Sequence, residues 1–344
     1  MKKKVLAAAT AMCVATSLLP IAAQAAEYKD TTDHWAKDSI NRWSEYGVVN
    51  GAPGGNFNPE GEMTRAEAAQ VFANLLKLSK KADISGYTDV PADAWYADAI
   101  ALCAEKGILN GVGGNQMDPT GTITREMFFV MFARALGIQE ETKLENTTLV
   151  DTGSISSWAT GSVYALINNN YVKGTAASEL LPLDDINRAS VMALMDQSIV
   201  AYAVSDGNVE VNGNGIVLVL ADNVTITGKG NVSVTAASEG SKIAFKNFTG
   251  NVTLSIMANN VNVTNAPAGT DVVVAEGVSG ATVNGRSVSA NSDYTVSSGS
   301  TGGSSSSGGS GTGSTGGDTT TTGGTGTTGG SNTPTTGGNQ TTGA

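Results

Sequence analysis

The chain has 344 residues, 20 Lys plus Arg against 31 Asp plus Glu, one His and two Cys. Its net charge of −11 disfavours nucleic acid and anionic membranes as partners. The single His34 excludes a His-based catalytic triad and a His-rich metal centre.

The first segment opens on three lysines, runs apolar from Val5 to Ala23 and ends on Ala23-Gln24-Ala25. A basic start, an apolar core and a small-x-small site read as a secretory signal peptide over 1–25. The run is short for a membrane-spanning helix of ~20 residues, so an exported protein is expected. Cleavage would deepen the net charge to about −14 and remove Cys13, leaving Cys103 with no intrachain partner.

Three stretches then repeat one template, at 27–79, 86–138 and 148–200. Take Trp35, Trp95 and Trp158 as position zero. A Gly follows 16 residues later (Gly51, Gly111, Gly174), a Pro 24 later (Pro59, Pro119, Pro182) and an Arg 30 later (Arg65, Arg125, Arg188). A fixed register over such a distance marks copies of one supersecondary unit that must stack to bury a core. Each copy reads helix, loop, helix. The first helix is expected from about Trp35 to Tyr46, with Trp35, Ile40 and Trp43 on one face, and Gly47, Gly107 and Asn170 stopping it and its counterparts. The second helix opens at Thr64-Arg65-Ala66-Glu67, an N-cap with a capping box. Thr124 and Asn187 cap its counterparts without the Glu. Cys103 falls where the other copies carry Trp43 and Leu166, so it reads as a core residue. A unit of about 50 residues buries too little alone, so the expected architecture is one all-α, pseudo-threefold bundle of three helix-loop-helix repeats.

From Asp206 the texture changes. Segments such as Asn223-Val224-Thr225-Ile226-Thr227 and Asn251-Val252-Thr253-Leu254-Ser255-Ile256 alternate apolar with polar between Gly and Asn turns. The region 206–296 is expected to be a small all-β solenoid or sandwich. The Asn residues read as turn formers before strands. Residues 297–344 are Gly, Ser and Thr with almost no apolar residue and are expected to be a disordered tail.

The repeats resemble the S-layer homology (SLH) family. The first copy has Tyr28-Lys29-Asp30, Trp35-Ala36, Tyr46-Gly47-Val48-Val49-Asn50-Gly51, Phe57-Asn58-Pro59 and Thr64-Arg65-Ala66-Glu67. The second has Tyr87-Thr88-Asp89, Trp95, Gly107-Ile108-Leu109-Asn110-Gly111 and Thr124-Arg125-Glu126. The third keeps Leu149-Val150-Asp151, Trp158 and Asn187-Arg188-Ala189 but lacks the double Gly of the loop. The resemblance implies a secreted protein held non-covalently at the bacterial cell wall or S-layer. It implies binding of secondary cell-wall polysaccharide, often pyruvylated, in grooves between repeats. The groove residues so implied are Arg65, Arg125, Arg188, Asp30, Asp89, Asp151, Trp35, Trp95, Trp158, Gly51, Gly111 and Gly174.

The residues support that on their own terms. An Arg in a helix's first turn faces the unfavourable end of the dipole, which argues for a nearby anion. Free N–H groups plus a guanidinium form a carboxylate site. Loop glycines admit a ligand close to the backbone. The competing reading pairs each Arg with its own unit's Asp and buries each Trp as the core anchor of helix one. Arg188 is expected to matter least to binding, because the third loop departs from the pattern. The alternative function is an S-layer lattice or protein-interaction component without polysaccharide binding. No residue set nominates a reaction, cofactor or metal, so the reading is not an enzyme.

Overall fold

The structure is a computed structural model and describes residues 28–298 except Pro53, Asn146, Asn291 and Asp293. The expected leader over 1–25 and the Gly/Ser/Thr tail from 299 onward lie outside the described residues. Six α-helices come first: α1 (Lys37–Glu45), α2 (Arg65–Leu75), α3 (Ala97–Glu105), α4 (Arg125–Leu136), α5 (Thr160–Asn168) and α6 (Arg188–Ser198). Helices α2, α4 and α6 start where their caps dictate. The side chains of Thr64, Thr124 and Asn187 accept from the N–H groups of Glu67, Met127 and Ser190, and Glu67 completes a capping box. Gly47, Gly107 and Asn170 take left-handed φ of 69°, 66° and 58° just past α1, α3 and α5, which ends each helix.

The expectation of an all-α bundle is corrected. The helices are only nine to twelve residues long. Long turn-rich segments with isolated β-bridges join them, and these segments hold the repeats together. Met63 N–H donates to Ile186 O (2.9 Å), Ile186 N–H to Ile123 O (3.0 Å) and Ile123 N–H to Met63 O (3.0 Å). Isolated antiparallel bridges Thr64–Thr122, Thr124–Asp185 and Glu62–Asn187 flank this closed backbone triangle. The helices then pair across repeats: α2 packs on α3, α4 on α5, and α6 back on α1. A buried loop must spend its backbone groups somewhere. Here the neighbouring repeat takes them, so the connections are structural members of the fold.

Among the described residues, twelve short strands follow. Strands β1 (Ile199–Ala203), β3 (Gly215–Val219), β5 (Val232–Ala236), β7 (Val252–Ile256), β9 (Asp271–Val274) and β12 (Tyr294–Thr295) form one sheet in that order. The other runs β11 (Arg286–Val288), β10 (Ala281–Val283), β8 (Asn262–Thr264), β6 (Lys242–Thr249), β4 (Asn223–Lys229) and β2 (Gly207–Asn212). Successive strands alternate between the sheets and pair in parallel from coil to coil, so the region is a β-solenoid and not a sandwich. Among the described strand pairs only β10–β11 and β9–β12 are antiparallel, and they close the far end. The recurrent Asn residues are stacked turn hydrogen bonds. Asn214 Oδ1 accepts from Asn231 N–H (2.9 Å), and Asn231 Oδ1 accepts from Asn251 N–H (3.2 Å).

Strand β3 is buried on both faces, which is why it reads Gly-Ile-Val-Leu-Val without alternation. Val217 and Val219 enter the solenoid interior, while Ile216 and Leu218 join the core of the repeats. Helix α6 runs directly into β1, so repeats and solenoid form one compact unit. Polar contacts lock the seam. Tyr202 Oη donates to Leu75 O (2.7 Å), Thr235 Oγ1 to Leu136 O (2.7 Å) and Ser255 Oγ to Gly137 O (2.8 Å). These hydroxyls satisfy carbonyls that α2 and α4 leave open at their C-termini. Among the described residues no helix is long and apolar enough to cross a membrane.

Candidate ligand grooves between repeats

Each second helix presents its N-terminus to the next repeat. Arg65 N–H donates to Gly121 O, Arg125 N–H to Asp184 O and Arg188 N–H to Gly61 O, each at 2.9 Å. One residue on, the N–H groups of Ala66, Glu126 and Ala189 donate to Pro119 O, Pro182 O and Pro59 O. The expectation of free N–H groups for an anion is therefore corrected: the neighbour's loop carbonyls and the cap side chains occupy them.

The guanidinium groups follow the same rule. None pairs with its own unit's Asp; each reaches the following repeat. Arg65 Nε donates to Met117 O and Nη2 to Asn110 O, both at 2.7 Å. Arg125 Nε donates to Leu180 O (2.7 Å). Arg188 closes the ring, with Nε on Phe57 O (3.1 Å), Nη2 on Asn50 O (2.9 Å) and Nη1 on Glu67 Oε1 (3.3 Å). The predicted residues thus regroup into Arg65 with Asp89 and Gly111, Arg125 with Asp151 and Gly174, and Arg188 with Asp30 and Gly51.

The three arginines differ in what they have left. All three nitrogens of Arg188 are engaged, and its charge is matched by Glu67. Only repeat 1 carries that capping-box Glu; Met127 and Ser190 stand in its place. Arg65 keeps Nη1, and Arg125 keeps both terminal nitrogens, without a protein hydrogen bond among the described residues. Burial lowers the pKa of Arg65, opposed by Asp118 and Asp89, and that of Arg125, opposed by Asp184 and Asp151. Both stay cationic at neutral pH, because a guanidinium is not deprotonated in proteins. Arg65 and Arg188 are buried, whereas Arg125 is half-buried.

The aspartates clamp their own repeat's turn before the Pro. Asp30 accepts from Phe57 N–H (2.8 Å) and Asn58 N–H (2.7 Å). Asp89 accepts from Met117 and Asp118, and Asp151 from Leu180 and Leu181. These turns hold Asn58, Asp118 and Leu181 at positive φ of 59°, 50° and 54°. One loop is therefore held by its own Asp from its N–H groups and by the preceding repeat's Arg from its carbonyls. For Asp30 and Asp89 partial burial raises the pKa, but the backbone donors outweigh it and leave each below the ordinary carboxylate value. A carboxylate with a depressed folded pKa stabilises above its unfolded value, about 4, and loses that contribution as pH falls through the folded value. An Asp30→Asn, Asp89→Asn variant should therefore show a shallower fall in stability below pH ~4 than the parent; urea midpoints measured from pH 2 to 7 check this.

The predicted glycines are explained within the chain. A Cβ on Gly51 would overlap the Tyr28 ring, one on Gly111 the Tyr87 ring, and one on Gly174 the Leu149 side chain. The tryptophans are a clear departure from the core-anchor expectation. Trp35, Trp95 and Trp158 are 66%, 64% and 52% exposed. They precede their helices, which begin two residues later than the spacing suggested. Trp43, Cys103 and Leu166 hold the core positions instead. Burial pushes the Cys103 thiol up to about 12, so it is an inert core group.

Two features of the inter-repeat contacts were not foreseen. Buried Glu126, next to Arg125, accepts from Ser156 N–H (2.9 Å) and Ser156 Oγ (2.6 Å), which ties the segment before Trp158 to the start of α4. At the ring closure, His34 Nε2 donates to Glu60 (2.8 Å) and Asn187 Nδ2 donates to the other Glu60 oxygen (2.7 Å). Glu126 follows an Arg at a position where the other repeats have Ala, and that difference was the available signal.

The S-layer homology domain matches residues 27–69, 86–126 and 149–192. A surface-layer 125 kDa protein of Lysinibacillus sphaericus is 33% identical over 198 residues, 56% of this chain and 16% of that protein. An amylopullulanase of Thermoanaerobacterium thermosulfurigenes is 31% identical over 171 residues, 49% of this chain and 9% of that one. A cellulosome-anchoring protein of Acetivibrio thermocellus is 32% identical over 159 residues, 44% of this chain and 35% of that one. The chain thus spans about a third or less of the length of these relatives. The matched segments fall within the three copies whose Arg, Asp and Gly interlock around the ring: the chain carries three S-layer homology domains and is a secreted, cell-surface protein.

Proposed function

We propose that the chain is a non-enzymatic anchor that attaches to the bacterial cell wall by binding an acidic secondary wall polysaccharide in the grooves between SLH repeats. A pyruvylated polymer fits, because its carboxylate would meet the guanidinium. The observation that carries this reading is Arg125. It is a half-buried cation with two uncommitted nitrogens, and the Glu126–Ser156 tie brings the segment before exposed Trp158 to the start of its helix. Such a fork binds a carboxylate bidentately, and an exposed indole face suits the apolar side of a sugar ring. In this reading the groove between repeats 2 and 3 contributes most, the Arg65 groove less, and the Arg188 groove least. The ranking follows from nitrogens already spent, and not from the third loop's missing glycines, because that loop faces Arg125 rather than Arg188. The name of the cellulosome-anchoring relative supports an attachment role.

The test is co-sedimentation of the protein with purified walls before and after the secondary polymer is stripped off. Binding to intact walls and its loss on stripping is the expected result. Undiminished binding to stripped walls would replace the proposal with a peptidoglycan or protein partner.

A further inference from the structure

Repeat 2 meets the solenoid through Leu136 O and Gly137 O, and beside those two contacts its seam is open. Beneath repeat 1, Tyr46 lies edge-on to Tyr202 with ring centroids 4.8 Å apart. Beneath repeat 3, Tyr171 Oη hydrogen-bonds Ser233 Oγ (2.7 Å). Beneath repeat 2 the residue matching Tyr46 is Lys106, and the residue matching Asn74 of α2 is Arg134. There a cleft of about 490 Å³ opens, lined among others by Lys106, Asn110, Arg134, Ile138, Met257 and Glu276. That volume is in the range of small-molecule sites. Next to it is a small apolar pocket of about 20 Å³ that shares Lys106, Arg134 and Met257.

Both cations are exposed, and neither has a carboxylate within salt-bridge distance among the described residues. A basic residue at a helix C-terminus complements the dipole, which accounts for each singly: Lys106 caps α3 and Arg134 is in the last turn of α4. It does not account for both lining one cleft beside an apolar pocket in a chain of net charge −11. Glu276 lines the same cleft from the solenoid, so an acidic group is directed to the Lys106 and Arg134 side.

We propose that this cleft binds a small amphiphilic anion, with its acidic group held by Lys106 and Arg134 and its apolar body against Met257 and Ile138. The site adjoins the Arg65 contact through Asn110, but its cations, Lys106 and Arg134, take no part in the wall-binding proposal.

Octanoate is the probe, added to full-length protein carrying ¹³C-methyl methionine. The Met257 methyl resonance, assigned with Met257→Leu, should shift saturably. The affinity should fall about tenfold or more in Lys106→Gln, Arg134→Gln, in which two charge-assisted hydrogen bonds are gone, while wall binding is retained. In the unaltered protein, raising the salt from about 20 mM to about 300 mM should also weaken octanoate binding, because exposed charges are screened; this readout does not depend on the variant folding. No saturable shift at Met257, or an affinity indifferent to both the substitutions and salt, would overturn the proposal.

Discussion

Arg125→Ala should release the protein from walls while leaving it folded, and Arg188→Ala should do the reverse. Arg125 makes one backbone hydrogen bond, to Leu180, and lies over the Phe129 ring. Its loss should cost about 1 kcal/mol of stability. Its terminal nitrogens are the donors proposed for the ligand's carboxylate, and a charge-assisted bond of about 1.5–3 kcal/mol corresponds to a ten- to hundredfold loss of affinity. Arg188 is spent on Phe57, Asn50 and Glu67, which no ligand needs. Removing it strands carbonyls and a carboxylate at the ring closure, a cost of about 2–4 kcal/mol, with little change in the affinity of whatever remains folded. Urea denaturation and wall co-sedimentation on both variants separate the two effects. Equal binding losses at equal stability would end the ranking of the grooves.

Tyr202→Ala should be the most damaging single change at the seam. The ring is nearly buried, packs edge-on against Tyr46 and Trp43, and its hydroxyl satisfies Leu75 O at the end of α2. Truncating a buried aromatic costs about 3–5 kcal/mol, and the stranded carbonyl adds to that. Tyr202→Phe keeps the packing and should lose only about 1 kcal/mol. Because the seam also carries Thr235, Ser255, Ile216 and Leu218, repeats and solenoid should unfold in one transition. Chemical denaturation followed by Trp fluorescence and by far-ultraviolet circular dichroism checks this; two separated transitions in the parent protein would show the seam to be energetically weak.

Local chemistry was legible in the chain. Thr64-x-x-Glu67 wrote its own helix start, Gly47 and Gly107 their own stops, and the Asn-Val-Thr starts their own solenoid turns. What depended on partners far along the chain was not. The Arg of each repeat recurs at a fixed distance from its own Trp, Asp and Gly, so spacing alone places all four in one unit. Yet Arg65 reaches Met117, 52 residues on, and Arg188 reaches back 131 residues to Phe57. A repeat looks the same whether its parts serve itself or its neighbour. The all-α expectation failed for a related reason. Segments such as that around Met63 have no period of their own and become ordered only because Ile186 and Ile123 complete their hydrogen bonds. The tryptophans were misplaced by two residues of helix. Extending α1 back to Trp35 aligned it with Ile40 and Trp43, whereas the helix begins at Lys37 and leaves Trp35 in solvent.

That exposure makes the proposed binding directly observable. Of the four tryptophans, Trp43 is fully buried, while Trp35, Trp95 and Trp158 are open to solvent. The most direct test of groove binding is a titration of the full chain with purified secondary wall polymer, followed by intrinsic Trp fluorescence in the parent and in Trp158→Phe. Groove binding predicts a saturable blue shift that is mostly lost in Trp158→Phe, at unchanged melting temperature. A polymer that binds without altering the fluorescence of either protein would contradict it.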